Sequence, residues 1–100
     1  MAKAISVKLG EEFFSKKSDV EVRVRTLIKT YQLMSFVEGT DKELCLNLFK
    51  HHPRYSEKHG AGITSIQVRV DEYGKRNFHL YRVDGSDDDI SWPKCLASIK

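Results

Sequence analysis

The chain has 100 residues, of which 40% are hydrophobic and 31% are charged, and its formal net charge is +3. This length predicts a single domain over residues 1–100, and the composition excludes collagen-like, low-complexity and wholly disordered proteins. No apolar run approaches the ~20 residues of a membrane-spanning helix, and the N-terminus lacks the apolar segment of a secretory signal. We therefore expect a cytoplasmic protein with no membrane partner.

Alternating apolar residues predict a short strand within residues 1–15. Ile5, Val7 and Leu9 alternate with polar residues, and Gly10 ends the pattern. At least one side chain of the following Phe13–Phe14 pair should reach the core.

The next segment, residues 18–33, fits both a strand and a helix. The valines of Val20–Val24 alternate as they do in a strand. However, Ser18 and Glu21 have the spacing of a capping box, and apolar residues recur with the helical period from Val20 onward. Because this pattern is longer than most strands, we predict a helix here.

A second helix is predicted after a turn. Thr40 and Glu43 form another possible capping box, and the helix should end near His51 because Pro53 disfavours a helical conformation in the residue before it. A short helical turn should follow the proline and end at Gly60.

Beyond Gly62 the apolar period changes to 2, which is typical of strands. We predict an antiparallel meander with strands near residues 66–71, 77–83 and 89–92, followed by a C-terminal piece. The predicted fold class is α+β, with two main N-terminal helices packed on one face of a small antiparallel sheet of three to four strands.

Several short motifs follow one another along residues 13–96. Their residues are Phe13, Ser15, Lys16, Lys17, His52, Pro53, Glu57, Lys58, Gly60, Gly62, Ile63, Phe78, Arg82, Asp84, Gly85, Ser86, Ser91, Trp92, Lys94 and Cys95. This series resembles the DCL family, named for the defective-chloroplasts-and-leaves proteins of plants. Each motif alone is weak, whereas the ordered set is specific.

The resemblance implies a small domain connected with RNA. Plant DCL proteins are linked to the maturation of plastid ribosomal RNA, and similar domains lie at the C-termini of plant-specific RNA polymerase largest subunits. Bacterial and phage relatives are mostly small stand-alone proteins without an assigned activity. The resemblance therefore gives no catalytic site to transfer to this chain.

The residues themselves indicate a basic surface for nucleic acid, against the alternative of an ordinary solvated surface. Arg69, His79, Tyr81 and Trp92 fit one sheet face, where aromatic side chains stack unpaired bases unless they belong to the core or its rim. The candidate phosphate contacts are Lys50, Arg54, Lys58, Arg69 and Arg82, and the candidate stacking residues are Tyr81 and Trp92. Gly60 and Gly62 could cradle a phosphate or simply allow the chain to turn.

Metal and nucleophile chemistry is not supported by the spacing of its usual residues. The four histidines, at positions 51, 52, 59 and 79, do not have the spacing of a zinc site. Cys45 and Cys95 should be reduced, and Cys95 has no adjacent base that would activate it. The acidic run Asp84–Asp89 lacks the spacing of a calcium loop and indicates a turn tip. We expect no metal, no cofactor and no small-molecule substrate.

Three functions remain, in order of preference. The first is a non-catalytic module that binds structured or ribosomal RNA during RNA processing or transcription. The second is a protein-interaction module that docks on a polymerase or a ribosome-associated machine. A nuclease ranks third, because no acid–base or metal constellation emerges.

Overall fold

The computed structural model describes residues 6–99, which form an α+β domain with four helices and two antiparallel sheets. The elements in chain order are β1 (Val7–Leu9), β2 (Glu12–Phe14), α1 (Lys17–Thr30), α2 (Gly39–Phe49), α3 (Tyr55–His59), β3 (Ile63–Val70), β4 (Arg76–Arg82), β5 (Asp87–Ile90) and α4 (Trp92–Ala97). None of these helices is long and apolar enough to cross a membrane. Ile5 of the predicted first strand lies outside the described residues.

The predicted arrangement of two helices on one small sheet is wrong. The described chain begins with a β-hairpin rather than with helices: β1 pairs with β2, and Val7 lies opposite Phe14. Gly10 adopts a φ of 63° in the connecting turn, a conformation that glycine reaches without strain. The three-residue strands were missed as a pair because β2 is too short to show a period. The second sheet has the order β3-β4-β5, and α4 packs against α1 and α2.

Both predicted capping boxes are also wrong. Ser18 and Thr40 lie inside α1 and α2, whose N-caps are Lys16 and Glu38, and neither N-cap makes a side-chain hydrogen bond to the helix. The two long helices are therefore stabilised by their buried faces rather than by their first turns.

A single apolar core joins the helices to the strands. Helices α1 and α2 contribute buried residues that include Val20, Val24, Leu27, Leu44 and Leu48, and the second sheet contributes Ile66, Val68, Phe78, Leu80 and Ile90. The rings of Phe49 and Phe78 meet edge to face, with centroids 5.6 Å apart. Phe14 packs against this core while Phe13 remains exposed, as the sequence predicted for one member of the pair.

The segment between α1 and α2 covers one edge of the second sheet. The N–H of Met34 donates to the Val68 carbonyl at 2.7 Å, and the N–H of Val37 donates to the Ile66 carbonyl at 2.8 Å. On the opposite side of the sheet, the last strand differs from the predicted one. It spans Asp87–Ile90 rather than residues 89–92, so Trp92 begins α4 instead of ending a strand.

Candidate nucleic-acid interface

A basic groove of about 540 Å³ lies beside α1, the β3–β4 turn and the start of α4. We call it the α1/α4 groove and define it by Arg25, Lys29, Lys75, Arg76, Trp92 and Pro93, which line it together with neutral residues and one acid, Asp71. Lys29 and Lys75 are exposed, and neither forms an ion pair within residues 6–99. The groove therefore contains two positive charges that are not neutralised by ion pairs among the described residues.

Local structure explains why these basic side chains lie along one groove. Arg25 and Lys29 are four residues apart on α1, so they share one side of the helix. The Asp71 carboxylate accepts hydrogen bonds from the N–H groups of Tyr73 and Lys75, both at 2.9 Å, and this fixes the β3–β4 turn that carries Lys75. The single acid of the groove is thus occupied in building the turn.

Arg76 ties this turn to the end of α1. Its Nη1 donates to the carbonyls of Tyr31 at 2.8 Å and Ile28 at 3.3 Å, which are among the carbonyls that a helix C-terminus leaves without helical partners. A cation at this end of a helix is also electrostatically favourable. Nε and Nη2 of Arg76 form no hydrogen bond within residues 6–99, and the residue as a whole is exposed.

Trp92 and Arg25 form the floor of the groove. The indole ring is 7% exposed, and Cζ of Arg25 lies 5.5 Å from the ring centroid, which is a cation–π contact. Glu21 holds the same guanidinium from its edge, because its Oε1 accepts hydrogen bonds from Nη2 at 2.9 Å and from Nε at 3.2 Å. A second depression of about 290 Å³ shares Arg25, Trp92 and Pro93 with the groove and adds Lys17.

Two of the predicted phosphate contacts are engaged in the fold. Nε of Arg82 donates to the Lys58 carbonyl at 2.8 Å, and its Nη2 lies 3.3 Å from the Asp88 carboxylate. Nζ of Lys58 bonds to the same carboxylate at 3.2 Å and to the Asp89 carbonyl at 2.9 Å. Burial favours a raised pKa for Asp88, but the Lys58 ammonium outweighs it and holds this pKa below its usual value. These contacts fasten α3 to β5.

The other two basic residues of the 50–58 segment remain at the surface. Lys50 is exposed beside a shallow cleft near Tyr55 and His59, and Arg54 pairs with Glu57 at 2.8 Å in solvent. The glycines after this segment do not form a phosphate cradle. The N–H of Gly60 donates to the Ser56 carbonyl at 3.1 Å, and that of Gly62 donates to the His59 carbonyl at 2.8 Å.

The outer face of the second sheet carries most of the predicted stacking group, but not Trp92. The register places Arg69, His79 and Tyr81 on this face, away from the core residues of the same strands. Phe36, which the sequence did not indicate, joins them with its ring 5.9 Å from that of Tyr81. The face is bordered by the acidic strand β5, and Asp87 bonds to the His79 ring.

Histidine and cysteine residues have structural surroundings. His52 is buried, and its Nδ1 accepts the N–H of Arg54 at 3.0 Å. Burial, followed by the nearby charges of Lys58 and Lys94, lowers the pKa of His52. Cys45 and Cys95 are free and buried, and burial raises the pKa of Cys95 to about 12, which disfavours its nucleophilic thiolate. Within residues 6–99, no cluster of three or more His, Cys, Asp or Glu side chains could hold a metal ion.

Comparison with known proteins assigns the chain to a family whose function is unknown. The family model described as "Protein of unknown function (DUF3223)" matches residues 25–96, so the chain belongs to that family. The predicted membership of the DCL family is wrong, because the matching model is this one and no DCL domain matches. The motif residues at positions 52–95 therefore carry no role from the DCL family.

Two individual proteins are similar to this chain. A stretch of 74 residues is 27% identical to the DNA-directed RNA polymerase IV subunit 1 of Arabidopsis thaliana, which is 73% of this chain but only 5% of that subunit's length. An uncharacterized protein of Rhodospirillum rubrum, solved by NMR in solution, superimposes with a TM-score of 0.84 and 29% identity. That match covers 95% of this chain and 91% of the other.

Sequence reasoning missed the α1/α4 groove because its parts are far apart in the chain. The helical spacing of Arg25 and Lys29 was a readable signal that they share an exposed side. No local pattern shows that the β3–β4 turn brings Lys75 to the same groove, or that Trp92 begins a helix there. The segment 50–58 was more conspicuous only because its three basic residues lie close together in the sequence.

Proposed function

We propose that this protein is a non-catalytic RNA-binding module of the cytoplasm, and that the α1/α4 groove holds the phosphate backbone. The observation that supports the proposal is the convergence of Arg25, Lys29, Lys75 and Arg76 on one groove, with Lys29 and Lys75 free of internal ion pairs among the described residues. Phosphate contacts from such side chains supply most of the affinity of sequence-independent nucleic-acid binding.

The similarity to a polymerase subunit supports the same proposal. The relative is by name a subunit of a DNA-directed RNA polymerase. A domain of this kind inside such a subunit is consistent with a module that contacts the transcript, and a separate copy of it would serve RNA processing or transcription from outside. The proposed ligand is structured or ribosomal RNA, which contains unpaired loops as well as helices.

Fluorescence anisotropy with a labelled RNA at several salt concentrations tests the groove. With three to four phosphate contacts on a single strand, log affinity should fall with log salt at a slope of about −2 to −3. For Lys29→Ala/Lys75→Ala, the slope should become shallower by about 1.4, and affinity at about 0.1 M salt should fall roughly 25-fold, since each lost contact removes ~0.7 from the slope.

A matched double variant separates the groove from the rest of the basic surface. Lys50→Ala/Arg54→Ala removes the same amount of charge from exposed positions outside the groove. We expect its affinity to stay within about twofold of the wild type, apart from long-range screening effects. If this control loses affinity while the groove variant keeps it, the phosphate contacts lie in the 50–58 segment and the assignment to the groove is wrong.

A protein-docking function is the second candidate, and the outer sheet face favours it. Leu33, Met34 and Phe36 are 46%, 56% and 47% exposed beside this face. Met34 has a φ of 71° and is held there because its carbonyl accepts a hydrogen bond from Nε2 of buried Gln67 at 2.8 Å. Residues kept in such sparsely populated conformations often lie at functional sites.

A nuclease-treated pull-down distinguishes the two candidates. Under the docking function, a protein would be retained after RNA is digested, and Phe36→Ala would release it because Phe36 is an exposed apolar contact. Under the RNA-binding function, nuclease treatment would release the bound material from both proteins.

A further inference from the structure

We propose that the guanidinium of Arg25 is a platform on which an unpaired RNA base stacks, so that the groove selects single-stranded segments and loops over duplex. This inference rests on the RNA-binding function proposed above and specifies the class of RNA. It assigns Trp92 an indirect part, as the support beneath the arginine.

The contacts of Arg25 hold it in one place. Trp92 lies under the guanidinium, and Glu21 binds its edge through Nε and Nη2. The side chain is nevertheless 58% exposed, so a large part of it remains free to contact a ligand. A planar cation fixed on two sides is preorganised, and binding to it therefore costs less conformational entropy than binding to a freely moving side chain.

Planar guanidinium groups are established partners for unstacked bases. Proteins that recognise single-stranded RNA stack its bases on aromatic rings or on arginine planes, and each such contact tolerates any base because every base has a π face. The ring of Trp92 itself is too deeply buried for this role, since it is 7% exposed. The Arg25 side chain, whose Cζ lies 5.5 Å from the indole centroid, is instead 58% exposed.

The surroundings of Arg25 fit a strand that crosses it. The α1/α4 groove and the smaller depression share Arg25, Trp92 and Pro93, so the platform lies where the two meet. Lys29 and Lys75 line the groove, and Lys17 lines the depression together with Glu21, whose carboxylate is paired with Arg25. A backbone running across the platform would thus meet a cation before and after the stacked base.

A paired RNA cannot use this site in the same way. In a duplex, each base is stacked within the helix, and stacking on Arg25 would require the base to leave it at a cost in free energy. The phosphate contacts alone would remain available to a duplex, without the stacking contribution.

The test compares Arg25→Lys with Arg54→Lys, using a ten-nucleotide single-stranded oligoadenylate and an RNA duplex of the same length. Both arginines are exposed and paired with a nearby glutamate, Arg25 within α1 and Arg54 at the N-cap of α3, but Arg54 lies outside the groove. Lysine keeps the charge and removes the planar group. Arg25→Lys should weaken single-strand binding by about 5- to 100-fold, the range that corresponds to one stacked base, with an unchanged salt slope. Arg54→Lys should bind like the wild type.

The chain has one tryptophan, which gives an independent readout of the same site. Emission from Trp92 should change as the single strand saturates the wild-type protein, because the base alters the arginine that covers the indole. Thermal unfolding of both variants checks that each is folded during the titration.

The outcomes separate this inference from the function on which it rests. Absence of single-strand binding by the wild type would overturn the RNA-binding function itself. Three other outcomes would overturn only the stacking platform, provided that binding is salt-dependent. These are equal affinity of Arg25→Lys and wild type, equal affinity for duplex and single strand, and no change in Trp92 emission on binding.

Discussion

The protein has two basic regions that use their charge differently. In the region where α3, β4 and β5 meet, the largely buried side chains of Lys58 and Arg82 share the Asp88 carboxylate. In the α1/α4 groove, Lys29 and Lys75 are exposed and form no ion pair among the described residues. Lys58 and Arg82 are therefore engaged in the fold, whereas Lys29 and Lys75 are available for a ligand, and sequence position alone does not tell which case applies.

The acidic run after the β4–β5 turn explains the difference. Asp87–Ile90 form a strand rather than a solvent-exposed turn tip, and this strand places Asp88 between Lys58 and Arg82. In the groove, the Asp71 carboxylate accepts hydrogen bonds from backbone N–H groups of its own turn and Glu21 pairs with Arg25, so Lys29 and Lys75 are left without an ion pair among the described residues. Basic side chains thus stabilise the fold in one region, while Lys29 and Lys75 have no ion-pair partner among the described residues in the other.

The largest stability effect should come from removing the buried cation. Arg82→Ala loses hydrogen bonds to two α3 carbonyls and to Ser86, together with the Asp88 ion pair, at a side chain that is only 10% exposed. We expect the free energy of unfolding to fall by about 2–4 kcal/mol, since the two α3 carbonyls and Ser86 lose their charged donor and Asp88 keeps only Lys58 as an ion-pair partner among the described residues. Urea unfolding measures this, with Arg54→Ala as an exposed control that should change stability by less than about 0.5 kcal/mol.

RNA affinity gives the complementary measurement on the same variant. Folded Arg82→Ala should bind RNA like the wild type at a temperature well below its midpoint. A large loss of affinity without a loss of stability would show instead that Arg82 contacts the ligand.

A smaller loss of stability should follow when a side chain is introduced at Gly60, against which Arg82 packs. Gly60 has a φ of 50°, and a Cβ there would lie 2.9 Å from Cδ of Arg82. Gly60→Ala should destabilise the protein by about 1–3 kcal/mol, because it combines backbone strain with displacement of the arginine. Gly74→Ala, with φ 77° and open space around it, is the control for backbone strain alone and should cost less.

Equal losses of stability in the two glycine variants would mean that the packing of Arg82 on Gly60 contributes nothing to the stability of the fold. The comparison by thermal unfolding therefore isolates the contact that fastens α3 to the sheet.

The smallest expected effect is a change in the pH dependence of stability caused by His52. Its pKa in the folded protein is lowered by burial and by neighbouring cations, so the unfolded chain binds a proton more readily than the folded one. Stability from this group is complete above the unfolded pKa of about 6.5 and is lost as pH falls from there through the lower folded pKa. His52→Asn can still accept the Arg54 N–H and should show a flatter stability profile between about pH 7.5 and 5.5.

Identical pH profiles for wild type and His52→Asn in urea unfolding would contradict this assignment. Asp84 and Asp88 do not mimic the effect in this window, because their pKa values are lowered from the ordinary aspartate value.

Local patterns predicted individual elements better than their arrangement. The helices near residues 18–33 and 40–51 are present as α1 and α2, and the β3–β4 hairpin pairs through the turn around Gly74. Helical and strand periods are local properties, so they can be read from one segment. The N-terminal hairpin and the packing of α4 depend on partners distant in sequence or on strands of three residues, where no period can be seen.

The candidate site was even harder to predict from local sequence patterns. The outer-face position of Arg69 and Tyr81 followed from strand alternation. By contrast, the engagement of Lys58 and Arg82 depends on a carboxylate about thirty residues and six residues away, respectively, and it appears only when β5 pairs with β4. The sequence pattern placed Trp92 on a strand face because it put the short last strand two residues too late. In the structure, Trp92 begins α4 instead and therefore has different neighbours.

NMR mapping with a single-stranded RNA tests directly whether the α1/α4 groove binds RNA. The backbone amide signals of the ¹⁵N-labelled protein would be followed as the ten-nucleotide oligoadenylate is added. We predict that the largest shifts occur at Lys29, Lys75 and the Trp92 indole N–H, with small changes at Arg54 and Tyr81. Shifts concentrated in residues 50–58 or on the outer sheet face, with the groove unaffected, would contradict it.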